Sequence, residues 1–524
     1  MGPDLPSSPA PRRAGDSLRP WVLALAAALF EVFALAQDPK SESPARPLVA
    51  EGNPVVDWCA LMLDAIRTDT TNPTLSSRNL AILGAATHDA VNSIVRTHQP
   101  YRVQIAVPPD ADVDAAAIAA GHEVMLFLYP GFRARTEELF AAQRSSLPTN
   151  NAVVEGLGAG REVARRLLSE RGSDGSNTEI PYIPSDAPGQ WRRTAPFFRP
   201  PLTPHWGRVR TFCLPSLDAF RPGPPPALDS REYADALNEV KRLGGKNSPD
   251  RTAEQTEIAS FWSDFSYTAM PPGHWHEIAA TLARDRKLPV PETSRLLALI
   301  GLAQADAAIV CWDAKYRWNL WRPITAIQRA AEDGNPRTEP DAHWDQFLVS
   351  PPFPAYTSGH SSFSKASAQV LTHFFGTDAL HFTARSDTLP GVFRTFDSVS
   401  VCADEVGISR IYGGIHFAFD NVEGKKSGGR IGDYVVANFL LPVDSLPQLR
   451  IEGLDPSAPT LRVHGFIGGS ATLESSTDLL HWTLVSSQSA PVGGFAVPVP
   501  PATDAGPTYY RATASRPASA APAP

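Results

Sequence analysis

Residues 315–323 read KYRWNLWRP, residues 356–360 read YTSGH, and residues 409–420 read SRIYGGIHFAFD. These three clusters carry cations, hydroxyls, a glycine and two imidazoles, which together suit a tetrahedral or trigonal-bipyramidal oxyanion. Such an anion spreads its charge over several oxygens, so its site needs fixed positive charge and several N–H or O–H donors at once. Arginine offers a planar fork for two oxygens and lysine a point charge. The clusters therefore predict one oxyanion site assembled from distant parts of the chain.

The first cluster follows a predicted helix over residues 291–320, in which apolar residues recur at steps of three and four. Trp312 and Lys315 share a face at the far end of this helix. Pro323 disfavours helical geometry for Arg322, so we expect this arginine in an extended turn. Lys315 and Arg322 are expected to close on the anion from one side.

The second cluster is predicted to be a turn that leads into a helix. Ser358 is placed as the N-cap, Gly359 lets the backbone approach a ligand, and the helix over residues 363–375 stops at Gly376. Exposed N–H groups at such a helix start attract anions. The Ser358 hydroxyl and the Gly359 amide are therefore predicted donors, with His360 beside them.

The third cluster breaks a predicted helix over residues 399–411 at a pair of glycines and then continues to His416. Arg410 ends the first part. Asp420 lies four residues after His416 and is expected to accept a hydrogen bond from its Nδ1. This arrangement would leave Nε2 of His416 to attack or to coordinate a central atom.

Taken together, the order and spacing of the three clusters resemble the signature shared by vanadium-dependent haloperoxidases and the type 2 phosphatidic acid phosphatase superfamily. The resemblance to the bacterial haloperoxidase branch extends over roughly residues 53–442. One departure is Thr357, where the family usually has proline. The resemblance implies a mainly α, multi-helix bundle of the haloperoxidase and acid phosphatase type over residues 53–445.

The same resemblance implies vanadate as the cofactor and assigns roles to individual residues. Its vanadate ligands would be Lys315, Arg322, Ser358, Gly359, Arg410 and His416, with His416 bonded to the metal. The catalytic residues would be His360, His416 and Asp420. Trp312 and Phe353 would wall the halide site. Hydrogen peroxide, a halide (chloride or bromide) and a small organic acceptor are the implied substrates, with hypohalous acid as the product.

Two other functions are compatible with these residues. A soluble, exported acid phosphatase would use His416 as the nucleophile, pass through a phosphohistidine, and protonate the leaving oxygen from His360. A non-catalytic oxyanion-binding surface protein would need the cations alone. The second imidazole argues against simple binding.

Length and charge limit the remaining choices. The chain has 524 residues, 43% of them hydrophobic and 19% charged, which is typical of a globular protein with a large core and a small extra domain. Its formal net charge of -8 and its lack of a basic tract argue against a nucleic-acid partner. Helical periodicity is predicted for residues 56–66, 78–95, 112–128, 132–144, 152–170, 230–243 and 253–265.

The two ends of the chain differ from this helical region. Residues 1–36 are predicted to be a signal peptide, because arginines precede an apolar run that is too short for a good membrane span. Residues 37–52 are expected to be a disordered linker, and the protein to be exported to the periplasm or the medium, with no membrane span. Alternation over residues 449–514 predicts a small β-sandwich-like module. A cell-surface or polysaccharide contact and a spacer role both stay open for it, and residues 515–524 are expected to be a disordered tail.

Several other residues are interpreted without a catalytic role. His88 and Asp89 are interpreted as a packed polar pair on a helix. His274 and His276 lie two residues apart on a predicted turn flanked by Pro-Gly and are interpreted as a surface pair, with lining of the channel as the alternative. The aromatic, proline-rich connection over residues 172–226 is expected to cover the helices and wall the channel. The four cysteines are widely spaced, so both disulfides and buried thiols stay open.

Overall fold

The structure is a computed structural model and describes residues 52–443, 448–452, 460–464, 470–478, 480–489, 495–498 and 508–515. The predicted signal peptide lies outside these residues. So do the predicted linker up to residue 51 and the predicted tail from residue 516.

Thirteen helices account for most of residues 52–443. In chain order they are α1 (Pro54–Thr68), α2 (Pro73–Val95), α3 (Val113–Leu128), α4 (Arg133–Ser146), α5 (Asn151–Arg171), α6 (Arg231–Leu243), α7 (Ala253–Phe261), α8 (Met270–Asp285), α9 (Val290–Trp318), α10 (Pro323–Gln328), α11 (Gly359–Phe375), α12 (Val399–Tyr412) and α13 (Ala418–Asn438). Most begin at a side-chain cap. Asn72, Asp112 and Ser230, for example, each accept a hydrogen bond from a backbone N–H in the first turn of their helix. The prediction of a mainly α bundle is confirmed.

The centre of the bundle is α9, which packs closely along α2. A Cβ at Gly84 would lie 2.8 Å from the Ala298 Cα, and one at Gly301 would lie 2.8 Å from the Ala81 Cα. Glycine is therefore required at these positions for the two backbones to approach so closely. This contact fixes the axis from which Trp312 and Lys315 project at the end of α9.

Within the described residues, one helix is long and apolar enough to cross a membrane, namely α9, and 94% of its most apolar window is buried inside the protein. A bent pair, α3 followed by Pro130–Ser146, passes the same test only if it is counted as one span across a 118° bend. The burial of α9 fits its place at the centre of the bundle.

A hairpin and a small module supply the strands. The hairpin pairs β1 (Phe382–Arg385) with β2 (Phe393–Phe396) between α11 and α12, and its strands were not predicted. The module has the strands β3 (Gln448–Glu452), β4 (Thr460–His464), β5 (Ser470–Ser476), β6 (Thr483–Ser489), β7 (Phe495–Pro498) and β8 (Tyr509–Ser515). They form two antiparallel three-stranded sheets, in the orders β3-β4-β7 and β6-β5-β8. Leu461, Val463 and Val497 of one sheet pack against Ala471 and Leu473 of the other, which gives the predicted sandwich.

The histidines of α8 correct one interpretation made from sequence. His274 and His276 are 4% and 1% exposed and lie inside the helix Met270–Asp285, so they are not a surface pair on a turn. Pro271 and Pro272 resemble helix breakers. In the first turn of a helix, however, proline is tolerated because its missing N–H has no partner there.

The remaining assignments concern packed polar groups and thiols. The Asp89 carboxylate accepts hydrogen bonds from the backbone N–H groups of Tyr101, Arg102 and Val103, and His88 Nε2 contacts the Gln99 carbonyl at 3.1 Å. These contacts agree with a structural pair. All four cysteines are buried thiols without disulfides.

Candidate active site

Arg322 enters the site from an extended residue directly before α10, as expected from Pro323. Its φ and ψ are -80° and 155°. Nε donates to the Phe353 carbonyl at 2.8 Å and Nη1 to the Ile415 carbonyl at 2.8 Å. Nη2 is buried and has no hydrogen-bond partner among the described residues. The N–H groups of Nη2 are therefore left to bind something else.

Arg410 approaches from the last turn of α12. Its Nη1 donates to the Trp262 carbonyl at 2.7 Å, and its side chain is fully buried. Nε and Nη2 have no partner within the described part of the chain. These two nitrogens lie on the same edge of the guanidinium, which is the edge that grips two oxygens of an oxyanion.

Ser358 and Gly359 form the start of α11 as predicted. The Ser358 Oγ accepts hydrogen bonds from the Ser361 N–H at 3.3 Å and from the Ser361 Oγ at 2.8 Å. The single Ser361 hydroxyl proton also has Asn421 Oδ1 as an acceptor at 2.8 Å, so the Ser358 proton is left for an anion only when Ser361 donates to Ser358. The Gly359 N–H belongs to the first turn, whose amides have no acceptor within the helix. Of these two groups at the helix start, Gly359 lines the cavity described below.

His416 and Asp420 make the contact expected from their spacing. His416 Nδ1 lies 2.8 Å from Asp420 Oδ2, which also accepts the Phe417 N–H at 3.1 Å. The Ser358 N–H donates to the Asp420 carbonyl at 3.0 Å and ties the second cluster to the third. Because the carboxylate fixes the proton on Nδ1, the lone pair of His416 lies on Nε2.

Nε2 of His416 differs from expectation, since it already has a partner. Arg322 Nη1 lies 3.1 Å from it and donates to its lone pair. Nη1 reaches His416 because it also donates to the carbonyl of Ile415, the residue directly before His416. Any central atom at Nε2 would take the place of this hydrogen bond.

Lys315 also departs from the predicted arrangement. Its Nζ donates to the carbonyls of Pro354 and Ala355 at 3.0 Å each, and to that of Thr357. All three ammonium protons are thus used by the segment that leads into Ser358. In this structure Lys315 therefore holds that segment in place and contributes positive charge to the site. Its ammonium group has no proton left to donate to an anion.

His360 follows Gly359 in the first turn of α11. Its Nε2 is buried without a partner among the residues described, while the ring hydrogen-bonds to the backbone of Ser263. Burial and the Arg410 charge hold the pKa of His360 well below its usual range. Burial and the charges of Arg322, Lys315 and Arg410 do the same for the pKa of His416. Both rings are therefore neutral near neutral pH.

The cations and the carboxylate are perturbed by the same burial. Burial lowers the pKa of Arg322 to about 9, with Asp420 opposing the shift, and lowers that of Arg410 to about 10. It also lowers the pKa of Lys315 and raises that of Asp420. The direction of each shift shows that buried charge at this site lacks full compensation.

A cavity of about 90 Å³ adjoins part of this site, and Arg322, Lys315, Ser358 and Asp420 are not among the residues that line it. Its polar lining includes His360, Arg410 and His416. Trp312 and Phe353 form part of its apolar wall, with ring centroids 4.9 Å apart. Leu202 belongs to the aromatic, proline-rich connection, which thus lines the cavity as expected.

Two residues of the site were missed from the sequence, Asp264 and His274. Asp264 lines the cavity and accepts from His274 Nδ1 at 3.1 Å, and the His274 ring lies 4.6 Å from that of Trp262. Burial opposes the charge on His274, but the Asp264 carboxylate outweighs it and raises the pKa of His274. The pair anchors the segment that contacts Arg410 and His360. Ten residues of separation across a loop leave no periodicity that could have revealed it.

The donor set fits an oxyanion. At this site Nη2 of Arg322 and both Nε and Nη2 of Arg410 lack partners among the described residues, and an unsatisfied buried charged donor is costly. The Ser358 hydroxyl and the Gly359 amide add to this set. A tetrahedral anion with negative oxygens would satisfy all of these donors and offset the charge of the arginines.

The chain is similar in sequence to vanadium chloroperoxidases. A family model described as the VCPO second helical-bundle domain matches residues 295–444, which include all three clusters. Vanadium chloroperoxidase from Curvularia inaequalis is 26% identical over 287 residues, covering 43% of this chain and 46% of that protein. The match thus spans less than half the length of this curated relative.

Solved structures cover more of the chain. A bacterial vanadium-dependent iodoperoxidase is 30% identical with a TM-score of 0.64, and the alignment covers 74% of this chain and 96% of that one. The holo form of a bacterial vanadium-dependent chloroperoxidase is 18% identical with a TM-score of 0.57, covering 77% of this chain and 96% of the other. The second likeness shows a shared fold.

Proposed function

Because the chain belongs to the vanadium-dependent haloperoxidase family, we propose that it binds vanadate and oxidises a halide with hydrogen peroxide to hypohalous acid. The observation that carries the proposal is a set of partnerless nitrogens, namely N–H donors on Arg322 and Arg410 and the Nε2 atom of His360. Arg410 and His360 line a cavity together with a neutral histidine, His416, and Arg322 reaches that histidine through Nη1 at 3.1 Å.

Five residues would hold vanadate. Arg322 and Arg410 would bind its oxygens through the N–H groups that now lack partners, and Ser358 and Gly359 would donate from the start of α11. His416 would supply Nε2 to the central atom, in place of the hydrogen bond from Arg322. Asp420 keeps the proton on Nδ1, so that Nε2 presents its lone pair. Lys315 would add charge while holding residues 354–357.

Bound vanadate supplies Lewis acidity toward peroxide without changing its own oxidation state. His360 is the group placed to accept the proton that peroxide must lose, because its pKa is depressed and its Nε2 is buried beside the cavity. Arg322 and Arg410 stabilise negative charge as it develops, and they are already oriented by carbonyls. A protein carbonyl fixes each guanidinium before the substrate arrives.

The halide is expected to enter along the apolar wall. Trp312 and Phe353 line the cavity and are nearly fully buried, so a halide beside them would be partly stripped of water. Chloride and bromide are the proposed substrates. Iodide belongs in the assay as well, since the relative at 30% identity is an iodoperoxidase. The organic acceptor is proposed to be a small molecule.

The alternative is an acid phosphatase. His416 and Asp420 have the arrangement that a nucleophilic histidine needs, which is the observation that favours it. The leaving oxygen would then need a proton from His360, and the depressed pKa of His360 leaves this ring unprotonated near neutral pH. A binding protein without catalysis would not need His360 to be so placed.

The deciding experiment measures halogenation of a phenol-type dye by purified protein with peroxide and chloride, bromide or iodide, before and after loading with orthovanadate. We expect activity only after loading. Hydrolysis of a phosphate ester that vanadate inhibits, with no halogenation, would reverse the assignment in favour of the phosphatase.

A matched pair of variants tests the role of His360. His360→Ala should lower the halogenation rate by roughly 10²–10⁴-fold, the usual contribution of a general acid or base. His373→Ala is the control, since His373 lies on the same helix with its side chain 52% exposed. Equal rates in the two variants would remove His360 from the mechanism.

For location, we propose export to the periplasm or medium. The support is the pattern of residues 1–36, which lie outside the described residues. Cell fractionation with a tag after residue 524 tests this proposal. A contact of the β module with a cell surface or polysaccharide, or a spacer role, remains a prediction.

A further inference from the structure

We propose that Met270 is a modification site, oxidised to the sulfoxide by hypohalous acid formed in the cavity, so that the enzyme limits its own lifetime. The inference rests on the proposed function, because the oxidant is its product. It concerns a residue that takes no part in holding vanadate.

The first observation is the position of Met270. It is the first residue of α8 and lines the same cavity as His360, Arg410 and His416. Only 5% of the residue is exposed, so its sulfur is sheltered in the protein and adjoins the place where oxidant would form. A short path inside a cavity of about 90 Å³ favours reaction before escape.

The second observation is that the other sulfurs of the described chain lie elsewhere. Met62 and Met125 are 0% exposed in the helical core, and neither lines the cavity. The four cysteines are buried and also absent from its lining. A thiol must lose its proton before it becomes a good nucleophile, whereas the neutral thioether of methionine reacts with an oxidant directly through its sulfur lone pair. Met270 is therefore the sulfur that meets the oxidant first.

The reaction balances without another reagent. The sulfur lone pair takes the halogen from hypohalous acid and releases hydroxide. Water then adds to sulfur, halide leaves, and two protons are lost, one of which neutralises the hydroxide. The net change converts thioether and hypohalous acid into sulfoxide, halide and one proton. Sulfur loses two electrons and the halogen gains two.

The product changes the cavity wall. Sulfoxide formation turns an apolar side chain into a polar one. Phe265, Pro271 and Trp312 line the same cavity, so the new dipole would lie in a largely apolar passage. We expect slower halide entry and a turnover rate that declines with the number of cycles completed.

The experiment follows oxygen gain in Met-containing peptides by mass spectrometry while the vanadate-loaded full chain turns over peroxide and bromide, with dye bromination recorded in the same sample. Met270 should be oxidised roughly tenfold faster than Met62 or Met125, which meet oxidant only through local opening. Omission of bromide or of vanadate should abolish the difference. Excess free methionine, which consumes released hypobromous acid, should leave most of the Met270 oxidation in place.

Dye bromination separates the possible failures. If the dye is brominated while Met270 stays reduced, or while Trp312 is oxidised in its place, the proposal is overturned. Complete protection by free methionine also overturns it, because oxidation would then follow release. If the dye is not brominated, the proposed function fails. Added hypobromite then tests Met270 alone, which must still be oxidised ahead of Met62 and Met125.

Met270→Leu provides an independent measurement. Leucine keeps the wall apolar and has no sulfur, so the starting rate should match wild type. After the same number of turnovers the variant should retain more than roughly twice the wild-type activity. Identical decay curves with full oxidation of Met270 in the wild type would show that oxidation does not limit lifetime.

Discussion

Two pairs of buried arginines lie in this helical bundle, and they differ in how their guanidinium groups are satisfied. Arg78 and Arg171 share the carboxylate of Asp174, at 2.7 and 2.9 Å. Their remaining N–H groups meet Asn79 and three backbone carbonyls, and Arg171 lies 3.6 Å from the Phe212 ring centroid. Each of their six nitrogens has an acceptor.

The pair at the site, Arg322 and Arg410, has no such carboxylate between its members. Three of its six nitrogens lack a partner in the described residues, namely Nη2 of Arg322 and both Nε and Nη2 of Arg410. The fold can therefore satisfy buried arginines completely where they serve structure. At the candidate site it leaves three arginine nitrogens unmatched, and an anion from outside would complete them.

The largest expected effect is a loss of stability when Arg78 and Arg171 are deprived of their shared carboxylate, as Arg322 and Arg410 are in the wild-type site. Asp174→Asn removes the shared carboxylate from Arg78 and Arg171 and should lower the free energy of unfolding by about 3–5 kcal/mol, because two buried cations lose their counter-charge. Denaturant unfolding measures it. Asp186→Asn is the control, since the Asp186 side chain is 92% exposed beside Arg192 and should change stability by less than about 1 kcal/mol. Equal losses in both variants would contradict the comparison.

The converse change removes an arginine from the site. Arg410→Ala should lower the halogenation rate of the vanadate-loaded enzyme by roughly 10²–10³-fold, as expected for the loss of donors to developing charge. Stability without anion should change little, because two of the three nitrogens have no partner to lose. Thermal unfolding with and without phosphate supplies the second measurement: phosphate should stabilise wild type and have little effect on the variant. A large loss of stability with intact phosphate binding would make Arg410 structural.

The pH dependence of stability separates the two kinds of buried histidine. Burial lowers the pKa of His276 to about 4 from 6.5, and no arginine contributes to this shift. The unfolded chain takes up this proton near pH 6.5 and the folded chain only near pH 4, so stability is lost as pH falls between these values. The loss should reach about 3 kcal/mol.

His276→Gln should flatten this acid limb by up to that amount in denaturant titrations across pH 4–7. Phosphate should leave the His276 contribution unchanged, because His276 lies outside the cationic site. The pKa of His416 is instead depressed partly by Arg322, Lys315 and Arg410, and an anion would offset these charges. A phosphate-sensitive contribution from His276 would erase the distinction between the two histidines.

The smallest of these effects is expected at Asp420. Asp420→Asn keeps the shape but weakens the hold on the Nδ1 proton of His416. Loss of such an outer partner typically costs about 10–100-fold in affinity for the central group, so vanadate titration of activity should show a weaker apparent affinity of that size. Asp433→Asn, on the exposed side of the same helix, should leave it unchanged. If Asp420→Asn leaves the apparent affinity for vanadate unchanged, Asp420 does not determine the orientation of the His416 ring.

The comparison also explains which site features could be anticipated. The extended Arg322, the Ser358 cap and the contact between His416 and Asp420 depend on neighbours within a few residues, and all three are observed. Ten of the helices were anticipated for the same reason, although α2 begins at Pro73, five residues early, and α7 ends at Phe261, also early by four residues. Helix α8 was missed because Pro271 and Pro272 resemble helix breakers, and the β1–β2 hairpin was missed because its strands have four residues each. Helix α10 and the part of α13 after Asp420 were not predicted either.

The sequence by itself determined a helical bundle, a separate β module and the residue types of an oxyanion site, because caps, periodicity and short spacings act over a single turn. Only the tertiary structure decided which protons are left for an anion. The ammonium protons of Lys315 are donated to the carbonyls of Pro354, Ala355 and Thr357. Arg410 instead donates from one nitrogen to the Trp262 carbonyl, and its other two nitrogens have no partner in the described residues. A hydrogen bond depends on where distant backbone groups come to lie, and no spacing along the chain encodes that distance.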